Sequence, residues 1–303
     1  MRNTPWQGDA CSLVEEFRAG RRTPLEELQA TYAAIDASSL NAFCYLPREK
    51  AEAAARAADV SKPFGGVPIG VKELDQVEGW PDTHASVPLK DHVAGYTGTM
   101  VQRMRDDGGA VLMGLTTASE FGGVNVTRTK LHGTTHSPWQ HGKTPGGSSG
   151  GTAAAVSGGL VTLGTAGDGG GSIRIPAGFT GMVGLKATIG RIPRGPMAQY
   201  GNLTVTIGCI SRSVRDTARW FDVTNGFDAR DPLSLPRETG WEAGLGTHLA
   251  ALRGARVAFA PNWPTCGRSA PTSSLPRSAS AWSRRSASTT RPPAPRSSAA
   301  AWS

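Results

Sequence analysis

The chain is short of histidine and cysteine and has no long apolar run. Six histidines are spread through 303 residues, and only His248 follows the glycine-rich segment in the middle of the sequence. A serine nucleophile in that segment that relied on a downstream imidazole would have a single candidate partner. The four cysteines, Cys11, Cys44, Cys209 and Cys266, share no metal-ligand spacing and no close pairing. Reduced, structurally incidental thiols are therefore expected in place of a disulfide framework. Gly, Ser or a charge interrupts every apolar stretch well before eighteen residues, and no apolar signal core is read at the N-terminus. The expectation is a cytoplasmic chain with no membrane contact.

Acidic residues are also in deficit, 24 against 32 Lys and Arg, for a net charge of +8. The imbalance is local: residues 265–303 hold six Arg and no acid, so the remainder carries only +2. A nearly balanced body lacks the distributed basic face, interleaved with aromatics, of a nucleic-acid platform, and direct nucleic-acid binding is not expected. Of the 39 residues in that basic stretch, 34 are Ser, Ala, Arg, Pro or Thr. Such a composition offers no periodic apolar face and is expected not to pack. It reads either as a disordered tail or as the product of a shifted reading frame in a GC-rich gene. GC-rich codons for residues 267–283 let a neighbouring frame spell a loop and a helix start. The division expected is a partial domain over 1–262 and a low-complexity tail over 263–303.

Before the tail the pattern is mixed α/β. Asp9 caps a short helix ending at Gly20, and Thr23, Pro24 and Glu26 form a capping box that opens a helix to about Ile35. A strand is expected over 41–46, an Ala-rich helix over 48–58, a buried strand over 67–71, a helix over 97–106 and a strand over 110–115. A further strand is expected over 256–260. Helices alternating with short apolar strands build a layered sheet.

Two glycine-rich loops carry the chemistry. Gly146-Gly147-Ser148-Ser149-Gly150-Gly151 precedes a small-residue helix over 152–157, and Gly169-Gly170-Gly171-Ser172 precedes Ile173, Arg174, Ile175 and Pro176. Each presents a serine where bare backbone lets N–H groups approach a ligand, as an oxyanion hole requires. A flexible linker is the bland alternative, and the apolar, helix-forming residues that follow argue against it. A phosphate loop closing at Gly142-Lys143-Thr144 fails, because Ser137 stands where its first Gly is needed. A hydrolase elbow, Gly146-x-Ser148-x-Gly150, would have to use His248. His132, His136 and His141 lie among Thr, Ser, Pro and Gly with no helical frame, so loop histidines and no metal are expected. With histidine scarce, the serine needs another base, and a buried lysine with a depressed pKa can serve. Lys72 ends the apolar run Gly66-Val67-Pro68-Ile69-Gly70-Val71 and fits that role, although an ordinary strand-end lysine reads the same way in isolation.

Taken together, the stretches GVPIGVKELD (66–75), TTASEFGG (116–123), LHGTTHSPW (131–139), KTPGGSSGGTAAAVSGGLV (143–161) and GDGGGSIRIPAGFTGMVGLKAT (167–188) resemble the amidase signature family in order and spacing. The resemblance covers nearly all of residues 8–262. It implies an α/β single domain with a mixed central sheet flanked by helices, its C-terminal part missing here, because family domains run well past four hundred residues. It further implies Ser172 as nucleophile, Ser148 on a cis peptide as proton relay and Lys72 as the neutral amine that receives the proton. Oxyanion N–H groups would come from Gly169, Gly170, Gly171 and Ser172, and Ser149, Asp168 and Arg174 would brace the loops. The activity implied is cofactor-free cleavage of the carbon–nitrogen bond of a small amide through an acyl-enzyme. The amidase subunit of a tRNA-dependent amidotransferase and an inactive fragment carry the same motifs. Two departures stand out: Glu73 where the family usually has Asp, and Ala187 where it often has Pro.

Overall fold

The structure is a computed structural model that describes residues 3–197 and 203–256. In chain order it forms α1 (Ala10–Arg18), α2 (Pro24–Asp36), β1 (Phe43–Tyr45), α3 (Arg48–Arg56), β2 (Pro68–Lys72), α4 (Thr99–Asp106), β3 (Val111–Thr116), β4 (Arg128–Thr129), β5 (Gly133–Thr134), α5 (Gly150–Ser157), β6 (Leu163–Asp168), α6 (Arg174–Thr180), β7 (Val183–Gly184), β8 (Thr206–Ser211) and α7 (Val214–Thr224). These elements lie in one compact unit, Met1–Gly246; in the other, Thr247–Ser303, the described residues form a single 3-10 turn, Leu249–Leu252. The strand expected over 256–260 and the tail over 263–303 lie outside the described residues, apart from Arg256.

The local signals act as their chemistry requires. Asp9 Oδ1 accepts the Ser12 N–H at 2.8 Å and starts α1. Thr23 and Glu26 satisfy each other's backbone N–H groups at 3.2 and 2.8 Å, with Pro24 at the first helical position of α2. The strands align in the order β1-β3-β2-β6-β8-β7. β2 runs parallel to both β3 and β6, while β1, β8 and β7 pair antiparallel, so the sheet is mixed as expected. β2 is buried along its whole length, which its apolar run anticipates.

Strand alternation sends side chains to two cores. Ala110 and Leu112 join Ile69, Val71, Leu13, Phe17, Met104 and Trp220 in one cluster. Val111 and Met113 join Leu28, Tyr32, Ala51, Ala154 and Leu160 in the other. Helices α1, α4 and α7 thus contribute to one cluster and α2, α3 and α5 to the other. Because β2 and β6 are parallel neighbours, their carboxyl ends, Lys72 and Asp168, emerge at the same edge, where α/β sheets form their ligand crevices. Among the described residues no helix is long and apolar enough to cross a membrane.

The start of the chain is locked to α7 by a buried carboxylate. Asp216 accepts the N–H groups of Ala10 at 3.1 Å and Cys11 at 3.0 Å, while its own N–H is capped by Ser213 Oγ at 3.0 Å. Asp216→Ala leaves two buried N–H groups unpaired and should cost about 3 kcal/mol in urea unfolding, with Asp216→Asn costing less. A loss below about 0.5 kcal/mol would show that the α1–α7 tie does not hold the fold.

Candidate active site

Lys72 closes β2 as a buried residue on the wall of a cavity. Only 3% of the residue is exposed. Its backbone N–H donates to Thr165 Oγ1 at 2.7 Å, and its Nζ donates to Ser148 Oγ at 2.7 Å. Burial pushes the amine down from 10.5 to about 8, against the opposing fields of Asp75, Glu73 and Asp168.

Ser148 sits in the loop before α5, and the peptide joining it to Gly147 is cis. Its carbonyl accepts from the Ser119 N–H at 3.2 Å. Ser149 is fully buried, with Oγ 3.4 Å from both the carbonyl oxygen and the nitrogen of Gly167 on β6. Gly151 lies against the backbone of Thr117, where a Cβ would come within 2.4 Å of the Thr117 nitrogen. Small residues are required here because this helix start must touch the end of β3.

The second loop is organised by Asp168. Its carboxylate accepts the N–H groups of Gly171 at 2.7 Å and of Ile173 and Arg174 at 3.3 Å, and a two-pronged contact from Arg174 Nε and a terminal nitrogen at 2.8 and 2.9 Å. Burial alone would raise this acid, but the Arg174 guanidinium and the backbone donors hold it down at about 2. Gly171 adopts φ +117°, a conformation that favours glycine. The sequence expectation names Gly169, Gly170, Gly171 and Ser172 as oxyanion donors. The Gly171 N–H points to Asp168 and Gly171 does not line the cavity, whereas Gly169, Gly170 and Ser172 do. The N–H groups of Gly170 and Ser172 have no partner among the described residues.

A cavity of about 590 Å³ gathers Lys72, Asp75, Ser148, Asp168 and Ser172 on its wall. Tyr96, Met100, Phe121 and Ile207 supply apolar lining. Among the described residues the side-chain partner of Ser148 Oγ is the Lys72 amine rather than an imidazole.

Sequence reasoning did not single out Asp75 or Thr165, although both bear on Lys72. Thr165 Oγ1, which accepts from Lys72, donates to Asp75 Oδ2 at 2.6 Å, and the Asp75 N–H donates to the Lys72 carbonyl at 2.7 Å. Nothing in the local pattern marks a threonine 93 residues away as the partner of Lys72. His132, expected to be a loop histidine, lies with Nε2 2.8 Å from Glu73 Oε2. His136 and His141 bring their rings within 3.9 Å of each other.

Cys44, Glu73 and His132 place one donor atom each within 4.8 Å of one another, the one such group among the described residues. Glu73 is nevertheless engaged internally: Oε1 accepts the Ala118 N–H at 2.5 Å, and Oε2 accepts Thr83 Oγ1 at 3.3 Å beside His132. Burial and the Glu73 charge push the Cys44 thiol up. The Glu73 carboxylate is thus held within an internal network of Ala118, Thr83 and His132.

The buried amine makes a prediction about stability. A base whose folded pKa lies at about 8 against 10.5 unfolded weakens the fold fully below pH 8, and this penalty fades as pH rises toward 10.5. It amounts to about 3 kcal/mol at most. Lys72→Met should therefore be at least as stable as the parent at pH 7. The parent's urea midpoint should climb relative to the variant's between pH 8 and 10; parallel curves would contradict a neutralised buried amine.

The amidase family model matches residues 26–281, running past the boundary at 262 expected from the sequence. Over 256 residues the chain is 38% identical to a glutamyl-tRNA(Gln) amidotransferase subunit from Deinococcus deserti, covering 82% of this chain and 52% of that one. It is 36% identical over 266 residues to an acylamidase of Rhodococcus erythropolis, covering 84% and 54% respectively. The crystal structure of a bacterial aryl acylamidase of the amidase signature family superposes with a TM-score of 0.73 at 31% identity, covering 79% of this chain and 52% of that one. The chain thus spans about half the length of the curated relatives it matches. With most of its own length matched and its mixed sheet shared with solved members, the chain belongs to the amidase signature family.

Proposed function

We propose that this site hydrolyses the carbon–nitrogen bond of small amides through a serine acyl-enzyme, with Ser172 as nucleophile, Ser148 as proton relay and Lys72 as base. The observation that carries the reading is the 2.7 Å hydrogen bond between the Lys72 amine and Ser148 Oγ, buried in a cavity that Ser172 also lines. A neutral amine at that distance accepts the Ser148 hydroxyl proton as Ser148 takes the proton of Ser172 Oγ. Ser172 Oγ then bonds to the amide carbonyl carbon, and the carbonyl oxygen becomes an oxyanion. The N–H groups of Gly170 and Ser172, with Gly169 beside them, are the donors available to it. Return of the proton along the same relay to the leaving nitrogen frees the amine, and water, deprotonated by the same path, releases the acid.

Ser149, Asp168 and Arg174 act by position in this proposal. Arg174 and three backbone donors fix the Asp168 carboxylate, which in turn fixes the turn that presents Ser172. Ser149 pins the first loop to β6. A second reading, the amidase subunit of a tRNA-dependent amidotransferase, has support in the names of relatives such as the Deinococcus deserti protein. Turnover of simple aryl or alkyl amides favours the first reading, and turnover of glutamine dependent on a partner favours the second.

The nucleophile is tested by Ser172→Ala, which should abolish both amide turnover and labelling by a fluorophosphonate. Ser148→Ala should slow labelling by roughly a hundredfold or more while leaving Ser172 as the labelled residue. Labelling that survives in Ser172→Ala and maps to Ser148 would overturn the assignment.

A further inference from the structure

The three carboxylates whose fields act on the Lys72 amine are not equivalent. Glu73, the next residue in the chain, is paired with His132 and accepts the Ala118 N–H. Asp168, at the end of β6, is matched by Arg174 and three backbone donors. Asp75 has no Arg, Lys or His ion pair among the described residues. Its carboxylate takes one hydrogen bond, from Thr165 Oγ1 at 2.6 Å, and it lies on the wall of the cavity that holds Lys72 and Ser148. Its field is the foremost of the three opposing the effect of burial on the amine; burial raises its own carboxyl, while the Thr165 hydrogen bond and the Lys72 charge pull it back down.

Asp75 also grips the main chain of Lys72 at both ends. Its N–H donates to the Lys72 carbonyl at 2.7 Å, and its carboxylate fixes the hydroxyl of Thr165, leaving that oxygen to accept the Lys72 N–H at 2.7 Å. A threonine hydroxyl has one proton. With that proton committed to Asp75, the lone pairs are aimed at Lys72.

We propose that Asp75 is a positioning residue, which through Thr165 holds the Lys72 backbone in place and through its own charge sets how readily the Lys72 amine gives up its proton. This rests on the reading of Lys72 as the base, and it adds a residue that acts on the base without touching substrate. The field of Asp75 keeps the amine partly protonated at neutral pH, so the site gains base as pH rises through about 8. Removing the charge while keeping the shape lowers that midpoint.

The test follows the amine directly. The chain has seven lysines, so with ¹³C-labelled lysine the Cε signal of Lys72, identified by its loss in Lys72→Met, can be tracked from pH 5 to 11. Asp75→Asn should move the Lys72 midpoint down by about one pH unit, roughly tenfold in proton affinity, and Asp75→Glu should return it toward the parent value. If Asp75→Asn does not fold, Asp75→Ala provides the same comparison. An unchanged midpoint in a folded neutral variant would overturn the proposal. Because this readout needs no turnover, a shifted midpoint with no labelling of Ser172 would sink the hydrolase reading and leave the role of Asp75 standing.

Discussion

The structure depends on an amine held out of water at the end of a buried strand. Lys72 can sit against Ser148 Oγ only because β2 lies between β3 and β6, with apolar clusters on both of its faces. Burial is unfavourable for a charged amine and is also what makes it a usable base. The same desolvation that weakens the fold lowers the proton affinity of Lys72 to the range where a neutral fraction exists near physiological pH. The surrounding carboxylates Asp75, Glu73 and Asp168 moderate this effect without cancelling it.

The loops around the amine are built from backbone and need little side-chain bulk. Gly151 must approach Thr117 closely, and Gly171 must turn with positive φ so that its N–H reaches Asp168. Asp168 then serves as an internal anchor for a turn that would otherwise leave several N–H groups unpaired. The cost of such bare backbone is conformational freedom, and the contacts of Ser149 with β6 and of Arg174 with Asp168 offset it.

Much of this was legible in the sequence, because the signals were local. The capping residues Asp9 and Thr23, the apolar run before Lys72 and the apolar run at β3 each dictate structure through neighbours a few residues away. The order of the glycine-serine motifs carried the family. Elements without such signals were not anticipated. β6 reads Leu-Gly-Thr-Ala-Gly-Asp, with two glycines and no run of β-branched residues, so its strand character comes from six register pairs with β8. β8 and α7 likewise went unnamed. Contacts between distant segments were equally opaque: Thr165 with Lys72, His132 with Glu73 and Asp216 with Ala10 are separated by 59 to 206 residues. The direction of the Gly171 N–H depended on a φ angle that composition does not reveal.

The central claim is that Ser172 becomes acylated while Lys72 and Ser148 carry its proton. Rapid acid quenching during hydrolysis of an activated aryl amide or ester, followed by peptide mapping by mass spectrometry, measures this most directly. The account predicts one acyl adduct, on the peptide containing Ser172, that accumulates before release and is absent when Lys72 is replaced by Met. An adduct on Ser148, or product formed with no covalent intermediate at all, would contradict it.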